Sequence, residues 1–313
     1  MLRFIARRLT VVLPTLLLVS IFVFGLQQLL PGDPAEALAG QERDPEVIAF
    51  LREKYRLNEP VHVQYAYWLG SVLRGDLGTS IRARLPIGEM IVDKLPITIQ
   101  LGVMSMLVAV CIGIPAGIVS AVRRGTAWDY GANVVALSGL SIPNFWLGIM
   151  LILVFAVQLG WLPSGGYVSP FVDLGANLQG MLLPALVLGT GNAAVLMRHT
   201  RGAMLGVLRQ DYVRTARAKG VAERRVILKH ALRNALIPVV TLGTLQFGEL
   251  LAGAVLTEQV FSIPGFGKLV VDAVFSRDYA VIQAVVLCTA AVFLLMTLIA
   301  DLAYVLLNPR LRV

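Results

Sequence analysis

Between Arg198 and Asn234 the chain places ten Lys and Arg residues around the segment Gln210-Asp211-Tyr212-Val213-Arg214-Thr215-Ala216-Arg217-Ala218-Lys219-Gly220. Such a run has no nucleophile or metal-ligand pattern; its chemistry is that of docking, to another protein or to anionic lipid. Asp211 can cap a short helix by accepting a free backbone N–H, and Gly220 can take the left-handed conformation that ends it before a second helix begins. Val213, Ala216 and Gly220 then share one face, with Arg214, Arg217 and Lys219 on others. The expectation is a compact knob with a small apolar ridge and a basic rim.

A second group is Gln246 and Glu249, at helical spacing with Leu242 and Gly253 inside an apolar run. An ionisable group in hydrocarbon is expensive unless it faces protein or water. Gln246 and Glu249 can therefore line a polar path and meet an amide or an amino group, or join this helix to another membrane subunit by hydrogen bonds. Glu249 could also serve as a proton site. Asp301, near the end of the last apolar run, suits pairing with a loop Arg. His62, His199 and His230 are scattered along the sequence with no second ligand at metal spacing, so no metal site is expected. Cys111 and Cys288 lie in apolar runs and suggest neither a disulfide framework nor a metal site.

The elements that must hold these groups follow from composition. With 57% hydrophobic and 15% charged residues over 313 positions, the chain has more apolar surface than a soluble core can hide. Six apolar spans are expected: Leu9 to Leu30, Ile99 to Val122, Ala132 to Leu159, Gly180 to Met197, Ala235 to Thr257 and Ala280 to Leu307. A helix of about twenty residues covers roughly 30 Å, the thickness of the hydrocarbon layer. Of 27 basic and 19 acidic residues, only Glu249 and Asp301 fall inside these spans. The fold class is thus all-α and polytopic, with six transmembrane helices.

Lys and Arg gather on one side: three before the first span, two at Arg123 and Arg124, ten in the 198–234 loop, and Arg310 and Arg312 at the end. The 160–179 loop has none and the 258–279 loop has only Lys268 and Arg277. By the positive-inside rule both termini are expected in the cytoplasm. The first span lacks a small-x-small cleavage pattern and is expected to be a retained anchor. Residues 31–98 form a small extracytoplasmic segment with a helix-like stretch from Pro45 to Tyr55 and an aromatic-rich one from Val61 to Leu73. The expected division is 1–98, anchor plus outer segment, and 99–313, a five-helix core carrying the 198–234 loop.

Ala216 to Gly220, followed by His230-Ala231-Leu232-Arg233-Asn234-Ala235-Leu236-Ile237-Pro238, resembles the coupling loop of ABC-importer permeases, in the form of the dipeptide, oligopeptide and nickel subclass. The wider family begins this loop Glu-Ala-Ala; here Arg214, Thr215 and Ala216 stand in those places, His230 where Ile would be and Arg233 where Pro would be. Further segments extend the resemblance over nearly the whole chain: Leu30-Pro31-Gly32-Asp33-Pro34, Gly75-Asp76-Leu77-Gly78-Thr79-Ser80 and Ile142-Pro143-Asn144-Phe145-Trp146-Leu147-Gly148. Gly160-Trp161-Leu162-Pro163-Ser164-Gly165 and Glu258 to Gly267 complete it.

The resemblance implies a transport subunit of the bacterial inner membrane rather than an enzyme. It would form half of a pathway for di- or oligopeptides, glutathione or a nickel chelate, and work by alternating access. Its implied partners are a homologous second permease, two cytoplasmic ATPases that bind ATP and Mg, and a periplasmic substrate-binding protein. Asp211 to Gly220 would contact the ATPase. The chain itself contains no Gly-x-x-x-x-Gly-Lys-Ser/Thr phosphate loop, so its energy source is another chain or an ion gradient. A proton-coupled transporter using Glu249 is the alternative expectation.

Overall fold

The structure is a computed structural model that describes residues 2–28, 35, 44–54 and 56–307. Leu30-Pro31-Gly32-Asp33-Pro34, Tyr55, Arg310 and Arg312 lie outside the described residues. In chain order the helices are α1 (Leu2–Gln28), α2 (Pro45–Lys54), α3 (Val61–Leu73), α4 (Ile87–Val122), α5 (Ala127–Ser141), and α6 (Asn144–Leu151), which continues as a π-helix over Ile152–Gln158. They are followed by α7 (Leu174–Leu208), α8 (Asp211–Ala218), the single turn α9 (Glu223–Arg225) with a π-helical Val226–Ala231, α10 (Leu232–Gly253), α11 (Val255–Val260), α12 (Phe266–Ser276) and α13 (Tyr279–Leu307).

Among the described residues five helices are long and apolar enough to cross a membrane, and α5 with α6 makes a sixth candidate bent by 99°. The third expected span, Ala132 to Leu159, is therefore a broken pair and not one straight helix. The cause is local. Proline crowds the residue before it out of the helical region and lacks an N–H; Ile142 accordingly adopts φ −80°, ψ 122°, and Pro143 starts the next helix. The second span also differs, since α4 begins at Ile87, twelve residues before its apolar run. Glu89, Asp93 and Lys94 hide this first part from a reading based on hydropathy.

Two compact units are present, Met1–Ile97 with Gly265–Leu294, and Thr98–Pro264 with Leu295–Val313. In the first, Ile87, Ile91, Phe266, Leu269, Ala273, Val281, Ala284 and Val285 form the buried core. Tyr65 and Trp68 of α3 pack on Phe24 of α1, with ring centroids 5.5 and 5.6 Å away, and Ser20 Oγ lies 2.7 Å from the Tyr65 hydroxyl. The aromatic stretch thus rests on the first span. Asp278 orders the 75–86 turn: its carboxylate accepts the Ser80 hydroxyl at 2.6 Å and the Arg82 N–H at 3.3 Å, while capping α13 through Val281 N–H at 3.4 Å.

In the second unit α7 is the central helix, packed by α4, α5, α6 and α10. Its approach to α4 is close because Gly113 and Gly117 stand at the contact. A Cβ on Gly113 would lie 2.6 Å from the Ala193 carbonyl, and one on Gly117 2.7 Å from that of Met197. Small residues let helix backbones meet in this way where lipid offers no hydrophobic drive for association. The 160–173 loop is pinned, since Gly166 N–H bonds to Phe261 O at 2.8 Å and Asn177 Nδ2 to Val168 O at 2.6 Å.

Candidate functional site

The knob grows from local chain geometry. α7 ends at Leu208; Gln210, extended at φ −74°, ψ 149°, is the N-cap residue of α8. Asp211 is therefore the first helical residue and not the cap, and its carboxylate acts by its charge at the positive end of the helix dipole. At the other end Gly220 has φ 75°. Its N–H bonds to Arg217 O at 2.9 Å and Val221 N–H bonds to Ala216 O at 3.2 Å, the paired bonds of a Schellman termination. Arg217 then bridges the glycine to α9, with Nη2 2.7 Å from Glu223 Oε1 and Nε 3.1 Å from Oε2. This carboxylate raises the Arg217 guanidinium further above its usual range.

The apolar face does not point outward. Val213 is fully buried and Ala216 nearly so, against Val226, Val207, Leu208 and Val221. The expected apolar ridge is the inner face by which α8 is seated on the end of α7 and the π-helical turn. Exposed on the knob are Asp211, Tyr212, Arg214, Thr215, Arg217, Ala218, Lys219 and Gly220. The outward surface of the knob is thus polar and basic, with Tyr212 as its large ring. The Arg214–Asp211 pair, at 3.5 Å and with both side chains open to solvent, contributes little.

Gln246 and Glu249 do not share an environment. Gln246 is 5% exposed and its Oε1 has no hydrogen-bond partner among the described residues, while Glu249, three residues on, is exposed. A membrane-span helix that shows a carboxylate on its surface must meet protein or water there. Asp301 lies half-buried on α13.

Sequence reasoning missed the most connected polar site. The Asp129 carboxylate in the first turn of α5 accepts from Arg201 Nε at 2.8 Å and Nη2 at 2.9 Å, Ser120 Oγ at 2.5 Å, Gly125 N–H at 3.0 Å and Asn133 Nδ2 at 2.9 Å. Arg201 is on α7 and Ser120 on α4, so one carboxylate gathers three helices. Arg201 had weight in the sequence only as one of many loop cations. Glu258, placed by the sequence in an outer loop, is fully buried and accepts the Thr98 hydroxyl at 2.5 Å.

The sequence profile described as binding-protein-dependent transport system inner membrane component matches residues 113–313, and that of the N-terminal part of such membrane components matches residues 1–102. The chain belongs to this family. It is the permease, the membrane-spanning and non-enzymatic component of an ABC importer of the inner membrane. Membership in a binding-protein-dependent system decides against the proton-coupled alternative built on Glu249. The permease is 46% identical over 312 residues to the glutathione transport system permease protein GsiC of Salmonella typhimurium, covering 100% of this chain and 99% of that one. It is 43% identical over 336 residues to the dipeptide transport system permease protein DppB of Escherichia coli K12, with the same coverage. The di/tripeptide permease protein DppB of Pseudomonas aeruginosa is also 43% identical, over 333 residues, again with that coverage. An inward-facing structure of the MetNI methionine ABC transporter matches with a TM-score of 0.59 at 18% identity, over 70% of this chain and 96% of that one, and shows a common fold.

Proposed function

We propose that this permease forms half of the membrane pathway of an ATP-driven importer of small peptides. The observation that carries the reading is full-length similarity to permeases whose names specify dipeptides, di/tripeptides and glutathione, itself a tripeptide. A homologous second permease supplies the other half as a heterodimer. ATP and Mg bind two cytoplasmic ATPase subunits, and a periplasmic binding protein delivers the cargo. The division into an anchor with its outer segment, 1–98, and a transport core, 99–313, follows this scheme.

Both termini and the knob face the cytoplasm in this reading. Asp211 to Gly220 take the push of the ATPase pair as it closes on ATP, and the attached spans rock between inward-open and outward-open states. Support comes from the way the knob is built: a short helix with its apolar face locked inward and a polar face presented outward. Glu249, exposed on α10, meets either the amino terminus of a peptide or a polar group of the second permease.

Reconstitution in liposomes of the permease with its co-purifying subunits tests this directly. Uptake of a radiolabelled dipeptide, or of glutathione in parallel, is expected to survive an ionophore and to stop when the ATPase is inactivated. Collapse with the ionophore and indifference to the ATPase would overturn the reading.

A further inference from the structure

We infer that Arg201 and Asp129 are positioning residues: a fixed joint that carries motion of the knob into α5, the first arm of the bent pair. The inference rests on the reading that the knob is pushed by the ATPase, and concerns how that push travels.

Between the knob and Arg201 there is no break. Val207 and Leu208, at the end of α7, hold Val213, Ala216 and Val226, and α7 runs unbroken from there back through Arg201. At 1.5 Å per residue the seat of the knob and Arg201 are about 10 Å apart along one helix. Displacing the knob therefore displaces the guanidinium.

From Arg201 the connection passes to α5 by two parallel N–H···O bonds on Asp129, a geometry that fixes direction as well as distance. The apolar packing between α5 and α7 is less directional. Its buried cluster is Ala136 of α5 with Ala194 and Met197 of α7, with Ala132 of α5 and Ala116 of α4 beside them. Apolar contacts made largely by alanine resist sliding less than a two-bond ion pair does. A largely buried ion pair is also a poor way to gain stability compared with apolar packing, and its best-attested use is to set register. With Asp129 6% and Arg201 27% exposed at the side chain, this pair fits that use.

At its far end α5 is free to act as a lever. The break at Ile142 and Pro143 leaves no continuous helical hydrogen bonding across the 99° bend. Such element-terminal residues absorb the backbone rotation of a hinge. Ser120 and Gly125, donating to the same carboxylate, bind the end of α4 and the 123–126 turn into the moving body.

The test uses the whole reconstituted importer with Asp129→Asn, which keeps size and acceptor but loses the charge. Spin labels replace Trp128 on α5 and Thr215 on the knob, in a chain without Cys111 and Cys288. With the joint intact their separation is unchanged when the ATPases are trapped with ATP and vanadate; with Asp129→Asn it shifts or broadens on trapping. Dipeptide or glutathione imported per ATP hydrolysed is expected to fall about fivefold or more, the lower end of ordinary coupling between sites, with Arg201→Lys between it and the parent.

Unchanged import per ATP in Asp129→Asn, or a label separation that already changes in the parent, would overturn the joint. If Asp129→Asn does not assemble, Arg201→Lys carries the test, and failure of both to assemble would reduce the pair to a structural contact. Gly220→Val separates the two layers. Loss of uptake there with normal coupling in Asp129→Asn overturns the joint alone, whereas full uptake in Gly220→Val overturns the knob reading and the joint's function with it.

Discussion

Asn234 Nδ2 donates a 2.8 Å hydrogen bond to the Tyr212 hydroxyl, tying the first turn of α8 to the first turn of α10. It is a side-chain link between the knob and the span that carries Gln246 and Glu249. Tyr212→Phe removes the acceptor and leaves the ring. Losing one such bond at a half-exposed site lowers stability by about 0.5–1.5 kcal/mol. The purified complex is expected to lose little thermal stability but a clear fraction of its uptake. If Tyr212→Phe and Asn234→Ala reduce uptake additively instead of to a common level, the bond has no role of its own.

Gly220 separates backbone from bulk. Nothing lies within 4 Å of a Cβ built there, yet φ is 75°. A side chain therefore fits in space and strains the chain, by about 1–2 kcal/mol for an ordinary L residue. Uptake is expected to rank Gly, then Asn, then Ala, then Val, because Asn tolerates the left-handed region. A ranking by side-chain volume, with Asn worse than Ala, would point to a steric surface of the knob instead.

The two faces of α8 should fail differently. Val213→Asp places a charge in a fully buried seat, and is expected to unfold the knob and lower the melting temperature of the isolated permease. Lys219→Glu changes an exposed residue and should leave that temperature alone, while weakening ATPase co-purification in a salt-dependent manner. Loss of the ATPase from both variants with no change in permease stability would mean that Val213 is an outward contact after all.

Glycines on the helices should respond with opposite signs. Gly117→Ala drives its Cβ to 2.7 Å from both the Met197 carbonyl and the Thr200 side chain, an overpacking that destabilises by about 1–3 kcal/mol. Gly202→Ala, with nothing within 4 Å, replaces a poor helix former and stabilises by about 0.5–1 kcal/mol. Thermal unfolding in one detergent compares the two. Equal shifts would deny the close α4–α7 contact.

Removing one half of the buried ion pair should hurt more than removing both. Arg201→Met leaves the Asp129 carboxylate buried without its countercharge, a loss of about 3–5 kcal/mol. Adding Asp129→Leu removes the uncompensated charge and is expected to restore part of the stability. Simple additivity in the double variant would show that the two side chains do not depend on each other.

Length and composition by themselves determined the membrane class, because apolar runs of span length and the exclusion of charge from them are properties of consecutive residues. The left-handed turn at Gly220 was legible for the same reason: its hydrogen bonds join residues three and five apart. Pro143 stands inside the third apolar run, where a proline implies a bend without saying how far. What only the tertiary structure decided depends on neighbours distant in the chain. Val213 and Ala216 could face a partner or their own chain, and the choice fell to Val207, Leu208 and Val226 closing over them. Gln246 and Glu249 lie three positions apart on one helix, so spacing alone made them companions; packing on only part of the helix surface buries one and exposes the other. Asp129 meets Arg201 across 72 residues of chain. No local pattern encodes that meeting, because the end of α4 and the start of α5 converge on the side of α7, which is set by the packing of whole helices and not by the order of residues along any one of them.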